Sequence, residues 1–229
     1  LDSYKNSYII KNPMILYENK KQKLDILIDN LNKSLLKKYD NVKYKFDLLK
    51  NNYILKNPVL LYKDKGEVYE TLYSEFTTDM DQQLEFLNNK IAYGGGDYEE
   101  CVDVAIEEAA SKNWSLNSTK VLIHIADAPA HDEDINKWYK AVLKLSGMGI
   151  QMITVASSGV NKKTEYLFRA MTLITSGTYV AITNHSNIGD EHIDSSNSSD
   201  LVVEYLDNCL VRIINGYHSG KTYDPIPIN

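Results

Sequence analysis

Two short runs constrain the fold of this chain more than anything else in it. KVLIHIADA (120–128) and IQMITVA (150–156) are almost continuously apolar. A strand with one wet face alternates apolar and polar residues. A strand buried on both faces does not, and such strands belong to parallel sheets covered by helices. Around these runs the spacing turns helical. Val102, Ala105, Ile106 and Ala109 share one face of a helix. Asp132 to Ser146 presents Ile135, Trp138, Tyr139 and Val142, with Gly147 placed to end it. Thr164 to Ser176 forms a helix stopped by Gly177, and TYVAIT (178–183) a strand. The helix over 200–217 buries Leu201, Tyr205, Leu206, Cys209, Ile213 and Ile214. Helix and strand thus alternate from residue 99 onward. That order predicts an α/β fold, a doubly wound, mostly parallel sheet flanked by helices. Ligands on such sheets bind outside the carboxyl ends of the strands, where the strand order reverses.

The first hundred residues add to this frame. Leu24, Leu27, Ile28, Leu31 and Leu35 mark a helix over 20–39. Val42, Tyr44, Phe46 and Leu48 alternate as a strand does. In YILKNPVLLY (53–62), Pro58 removes a backbone donor, so the segment is an edge strand or a strand that starts after the proline. TTDMDQQLEFLNNKI gives a helix with Met80, Leu84, Leu87 and Ile91 inward, capped by Thr78 or Asp79. YIIKNPMILYENK (8–20) and YILKNPVLLYKDK (53–65) match at eight of thirteen positions. No third copy follows, so the pair reads as two similar strands of one sheet rather than a solenoid.

The chain has 229 residues, 43% of them hydrophobic, enough for one sizeable core. The net charge is -6 with acids and bases interspersed. A basic stripe is missing, which argues against nucleic acid as a partner. No apolar run reaches the roughly 18 residues of a membrane span. The opening LDSYKNSYIIKNP has neither the basic start nor the apolar core of a secretory signal. Cys101 and Cys209 lie on apolar faces and read as buried thiols of a reducing, cytoplasmic compartment.

Two polar stretches could carry function. AYGGGDYEEC (92–101) lacks both the dinucleotide fingerprint and the Lys-Ser/Thr of a P-loop. Asp97, Glu99 and Glu100 at a helix start repel phosphate, while each favours the helix dipole by about 0.3–1 kcal/mol. HIADAPAHDED (124–134) packs two histidines and several aspartates together, as a divalent-ion site would. His124 lies mid-strand among isoleucines and reads as a core histidine. Asp132 and Asp134 read as the start of the next helix. Asp127, at the end of a buried strand, is the strongest site candidate. His185, His192 and His218 read as solvated surface residues.

Several of these stretches belong to one ordered pattern: Tyr62-Lys63-Asp64-Lys65-Gly66, Phe76-Thr77-Thr78-Asp79, Gly94 to Glu100, and Ile125 to His131, with TNHSNIGDEHI (183–193) before the last helix. From about residue 40 to 217 the chain resembles a von Willebrand factor type A domain. It is most similar to the branch found in alpha-kinase-associated intracellular proteins. The resemblance implies a Rossmann-like sheet whose top holds Mg²⁺ or Mn²⁺, with the metal's open position taking a carboxylate from a partner protein. It also implies ligands from three loops: an Asp-x-Ser-x-Ser after the first strand, a threonine in the glycine loop, and an aspartate after the fourth strand. Here the first loop reads YENKKQ, with Lys20 and Lys21 where a cation would sit. Tyr98 and Glu99 replace the threonine and proline of the glycine loop, and Asp127 alone remains.

The expectation is therefore a single domain over 1–217, with 47–59 as an inserted arm and 218–229 as a tail. It is a non-enzymatic protein-interaction or scaffolding module, part of a larger assembly, with no nucleic acid or membrane as partner. No cofactor is expected, because the metal site is degenerate. Asp127, Asp97 and Glu100 are the residues that could rebuild a Mg²⁺ or Mn²⁺ site, and Tyr98, Glu99 and His131 those expected to meet a partner. The alternatives are metal-dependent adhesion through that remodelled set, and a metal-assisted hydrolase built on His124, Asp127 and His131.

Overall fold

A computed structural model describes residues 15–17, 54–91, 96–184, 192 and 202–227. Among the described residues, six strands make one sheet: β1 (Ile15–Tyr17), β2 (Leu60–Tyr62), β3 (Thr71–Tyr73), β4 (Lys120–Ala126), β5 (Ile150–Ala156) and β6 (Thr178–Ala181). Their spatial order is β3-β2-β1-β4-β5-β6, and only β3 runs antiparallel. The order reverses between β1 and β4. The chain is thus an α/β fold with a mostly parallel sheet flanked by helices. The helix expected at 20–39, the strand at 42–48, the loop YENKKQ beyond Tyr17 and most of the polar loop 184–199 lie outside the described residues.

The sequence repeat has a direct structural counterpart. Ile15, Leu16 and Tyr17 of β1 pair with Leu60, Leu61 and Tyr62 of β2. That register is the same offset as the repeat, so equivalent positions of the two copies lie side by side. Strand β2 starts after Pro58, as one of the two sequence readings required, and it is flanked on both sides. Residues 57–59 of the supposed arm continue the hairpin. Asn57 N donates to Thr77 O, Val59 N to the Ser74 hydroxyl, and Ser74 N to Val59 O.

Five helices cover the sheet among the described residues. On one face lie α2 (Val102–Ser111), α3 (Ile135–Gly147) and α4 (Lys162–Ile174). They pack Val102, Ile106, Trp138, Val142, Leu145 and Phe168 against Leu60, Leu122 and Met152. On the other lie α1 (Met80–Asn88) and α5 (Leu206–Ser219), whose Leu87, Leu206, Leu210 and Ile213 meet Leu61, Ile123, Ile125, Ile153 and Val155. Alternate residues of β4 and β5 feed opposite clusters, which is why their sequence is apolar throughout. Burying one such aliphatic side chain stabilises the fold by about 1.5–3 kcal/mol.

Several expected details shift. Asp79, not Thr78, caps α1, accepting from the backbone of Asp81 and Gln82. The helix ends at Asn88, which leaves Ile91 66% exposed rather than inward. On α3 the inward stripe is Trp138, Ala141, Val142 and Leu145, and Tyr139 falls outside it. Helix α4 starts at Lys162 because Asn161 caps it through Thr164 N. Gly177 ends this region for a steric reason. A Cβ there would stand 1.8 Å from the Met152 carbonyl oxygen. His192, expected at the surface, is buried beside Asn184 and its imidazole pKa is pushed down by that burial. The tail leaves the helix after Ser219 and folds back. Gly220 takes a left-handed φ of 66°, and Ile226 N then donates to the Glu204 carboxylate.

Candidate functional site

The carboxyl ends of β2 and β4 emerge on one edge of the sheet, where Asp64 and Asp127 begin their loops. The glycine loop, described from Gly96, joins them there. Its Glu100 forms a short parallel bridge with Ala130 and donates its backbone N–H to Pro129 O at 2.9 Å. The two stretches that stood out in the sequence are therefore stitched together backbone to backbone.

Tyr98 makes the second tie. Its hydroxyl lies 2.7 Å from Asp127 O and 3.1 Å from both Gly159 O and the Thr164 hydroxyl, and it accepts from Asn161 N at 3.2 Å. One phenol thereby fastens the glycine loop to the loops after β4 and β5. Tyr98, expected to meet a partner, is partly buried and its hydroxyl is engaged in these loop-to-loop contacts. Glu99, expected in the same role, is engaged by Lys163 at 3.0 Å, and Lys163 also reaches Asp132 at 2.7 Å.

Among the described residues, Asp127, Asp97 and Glu100 do not bring a carboxylate oxygen each to within 4.8 Å of one another. Glu100 is 1% exposed and Asp127 partly buried, and both carboxylates lie near Tyr62, whose phenol pKa is raised by burial and then by these two charges. The Tyr62 hydroxyl is 2.8 Å from His124 Nε2. His124 is fully buried against Phe168, and burial pushes its imidazole pKa down to about 3. It is a neutral core residue at physiological pH, as the strand pattern suggested.

Asp97 belongs to a different group. Among the described residues, ligand-capable atoms of Asp64, Asp97 and His131 all lie within 4.8 Å of one another. His131 Nε2 stands 2.6 Å from Asp64 Oδ1. Asp64 and His131 are each 8% exposed, while Asp97 is open to solvent. His131 therefore faces Asp64 rather than presenting a ring to a partner. The sequence reading noted Asp64 only as part of a strand-end motif. Its signal was its place just after the β2 run, the same privileged position that singled out Asp127.

Lys65 and Lys137 are held by other carboxylates. Lys65 reaches Glu133 at 2.8 Å and Asp134 at 2.6 Å. Lys137 and Lys65 together bring the Asp134 carboxyl pKa down to about 2. The cysteines offer no nucleophile to this edge. Both are buried, and burial pushes each thiol pKa up to about 12.

What the geometry defines is an α/β domain with a stitched, acidic loop cluster at the switch point of its sheet. No protein-family model matches the sequence, and no curated protein matches it.

Proposed function

We propose that this chain is a protein-interaction module of the von Willebrand factor A type, docking its partner at the carboxyl edge of the sheet. It works without chemistry of its own, as part of a larger assembly in the cytoplasm. The observation that carries this reading is the convergence of the glycine loop with the loops after β2, β4 and β5 on one edge, tied through Tyr98 and the Glu100–Ala130 bridge. The strand order, with one antiparallel edge strand, is compatible with the doubly wound sheet that the sequence resemblance implies. Asp97, Asp132 and Glu133 are exposed on or beside this edge, so the partner's contacting surface should be basic or metal-bearing. The hydrolase alternative loses its central residue, because His124 faces Tyr62 and Phe168 inside the core.

Charge reversal tests the reading. Asp97→Lys and Asp132→Lys should each weaken binding of the natively associated partner about tenfold or more, with the thermal midpoint unchanged. Leu116→Lys, in the loop entering β4 at the opposite edge, should leave binding intact. Equal binding by all three variants would contradict the assignment of the surface.

A further inference from the structure

We infer that Asp64, Asp97 and His131 form a binding site for a divalent transition-metal ion, with zinc the best match. This set differs from the one the sequence resemblance implies, which uses Asp127, the position of Tyr98 and the loop after β1, and it shares only Asp97 with the remodelled set Asp127, Asp97 and Glu100.

Three observations carry the inference. The first is convergence: residues from three separate loops bring one ligand-capable atom each to within 4.8 Å. The second is burial. Asp64 and His131 are each only 8% exposed, in contact at 2.6 Å, and their backbones are fixed. Asp64 O accepts from Glu67 N in the turn that Gly66 closes at φ 79°, and His131 O accepts from Asp134 N at the start of the next helix. The third is charge. Lys65, Lys137 and Lys163 beside this edge are engaged by Glu133, Asp134, Glu99 and Asp132, and the buried Lys63 stands over the Tyr69 ring. An ion would therefore meet two carboxylates and an imidazole on a preorganised frame.

The donor set selects the ion. Magnesium and calcium prefer all-oxygen shells, whereas one imidazole with two carboxylates suits zinc and its neighbours in the transition series. Zinc binds histidine nitrogen and carboxylate oxygen at about 2.0–2.2 Å. Two ligand atoms on one such ion stand about 3.0–3.5 Å apart, so the 2.6 Å Asp64–His131 contact must open by about 0.4–0.9 Å. The ion takes the place of the hydrogen between Nε2 and Asp64: from a neutral ring that proton transfers through water to Nδ1, and from a doubly protonated ring it leaves to solvent, so that in either case Nε2 offers its lone pair and Nδ1 carries the remaining hydrogen. Three protein ligands leave a fourth tetrahedral position, which faces solvent on the Asp97 side and takes water or an outside donor.

The inference does not depend on the interaction reading, because a zinc titration needs no partner. Chelator-treated full chain is titrated calorimetrically with ZnCl₂, MnCl₂ and MgCl₂ in separate runs. Zinc should bind saturably, one ion per chain, more tightly than manganese and far more tightly than magnesium. Asp97→Ala, at an exposed position where folding is not at stake, should weaken zinc about tenfold or more, as should Asp64→Asn and His131→Gln. Asp132→Asn should leave the titration unchanged. The inference is overturned if wild-type chain shows no saturable zinc heat. It is equally overturned if zinc binding survives Asp97→Ala at full strength, or is lost in Asp127→Asn while Asp97→Ala retains it.

Discussion

At the residue scale, Tyr98 shows how a substitution that looks like a loss can be a structural gain. In the resemblance to von Willebrand factor type A domains, its position is one where those domains carry a threonine, and the sequence alone suggests a loop open to a partner. Its phenol is long enough to cross to Asp127 O and to the Gly159–Thr164 segment, a span that threonine's short hydroxyl does not share. Tyr98→Phe should therefore cost about 2 kcal/mol, by removing one donor and leaving partly buried acceptors unpaired. Chemical denaturation reads this as a lower urea midpoint at unchanged slope. Glu99→Gln, breaking a half-exposed pair with Lys163, should cost less than about 1 kcal/mol in the same assay. A larger loss at Glu99 than at Tyr98 would reverse the assignment of the tie. Asp127 and His124 were legible in the sequence, one as a strand-end carboxylate and one as a core histidine. Asp64 was not legible as a partner of His131. The two are 67 positions apart and meet only because β2 and β4 flank β1 in the same sheet. No local pattern encodes that meeting.

At the element scale, what was legible follows burial. Strands β4 and β5 were clear because both faces are covered, and α2 because its apolar spacing is unbroken. Boundaries were less so. The start of α4 depends on which of several polar residues caps it, and Asn161 wins by accepting from Thr164 N. The inward face of α3 was misjudged by one position at Tyr139. Trp138, Ala141, Val142 and Leu145 make the buried stripe, and Tyr139 lies at its margin, 47% exposed. Glycines separate the same way. Gly177 looked like an ordinary helix stop, yet its backbone abuts that of Met152 in β5. Gly177→Ala should destabilise the chain by about 3 kcal/mol, since a carbonyl oxygen at 1.8 Å can only be cleared by moving the strand. Gly147, within α3 and in open space, should tolerate alanine and gain about 0.5 kcal/mol. Paired thermal melts of the two variants check both signs.

At the scale of the whole molecule, the sheet has a carboxyl edge, the working edge of our proposal, and an opposite edge. The loops leaving β2 and β4 carry the buried Asp64–His131 pair, and the glycine loop before α2 brings the exposed Asp97 and the Tyr98 tie to them and to the loop after β5. Residues at the other edge, such as Leu116 before β4 and Leu173 near the end of α4, are 90% and 84% exposed and carry no comparable cluster among the described residues. The order of elements was legible because alternation of helix and strand leaves few ways to build a layered sheet. The composition of the working edge was only half legible, because it depends on which loops the strand order brings together. The most direct test of the account places a photoreactive phenylalanine analogue at Asp97, Asp132, Leu116 or Leu173, one site per chain, and irradiates the natively assembled protein. Crosslinks to a partner from positions 97 and 132, with none from 116 and 173, are the expected result. Crosslinks from 116 or 173 alone would contradict the assignment of the carboxyl edge as the surface through which this protein works.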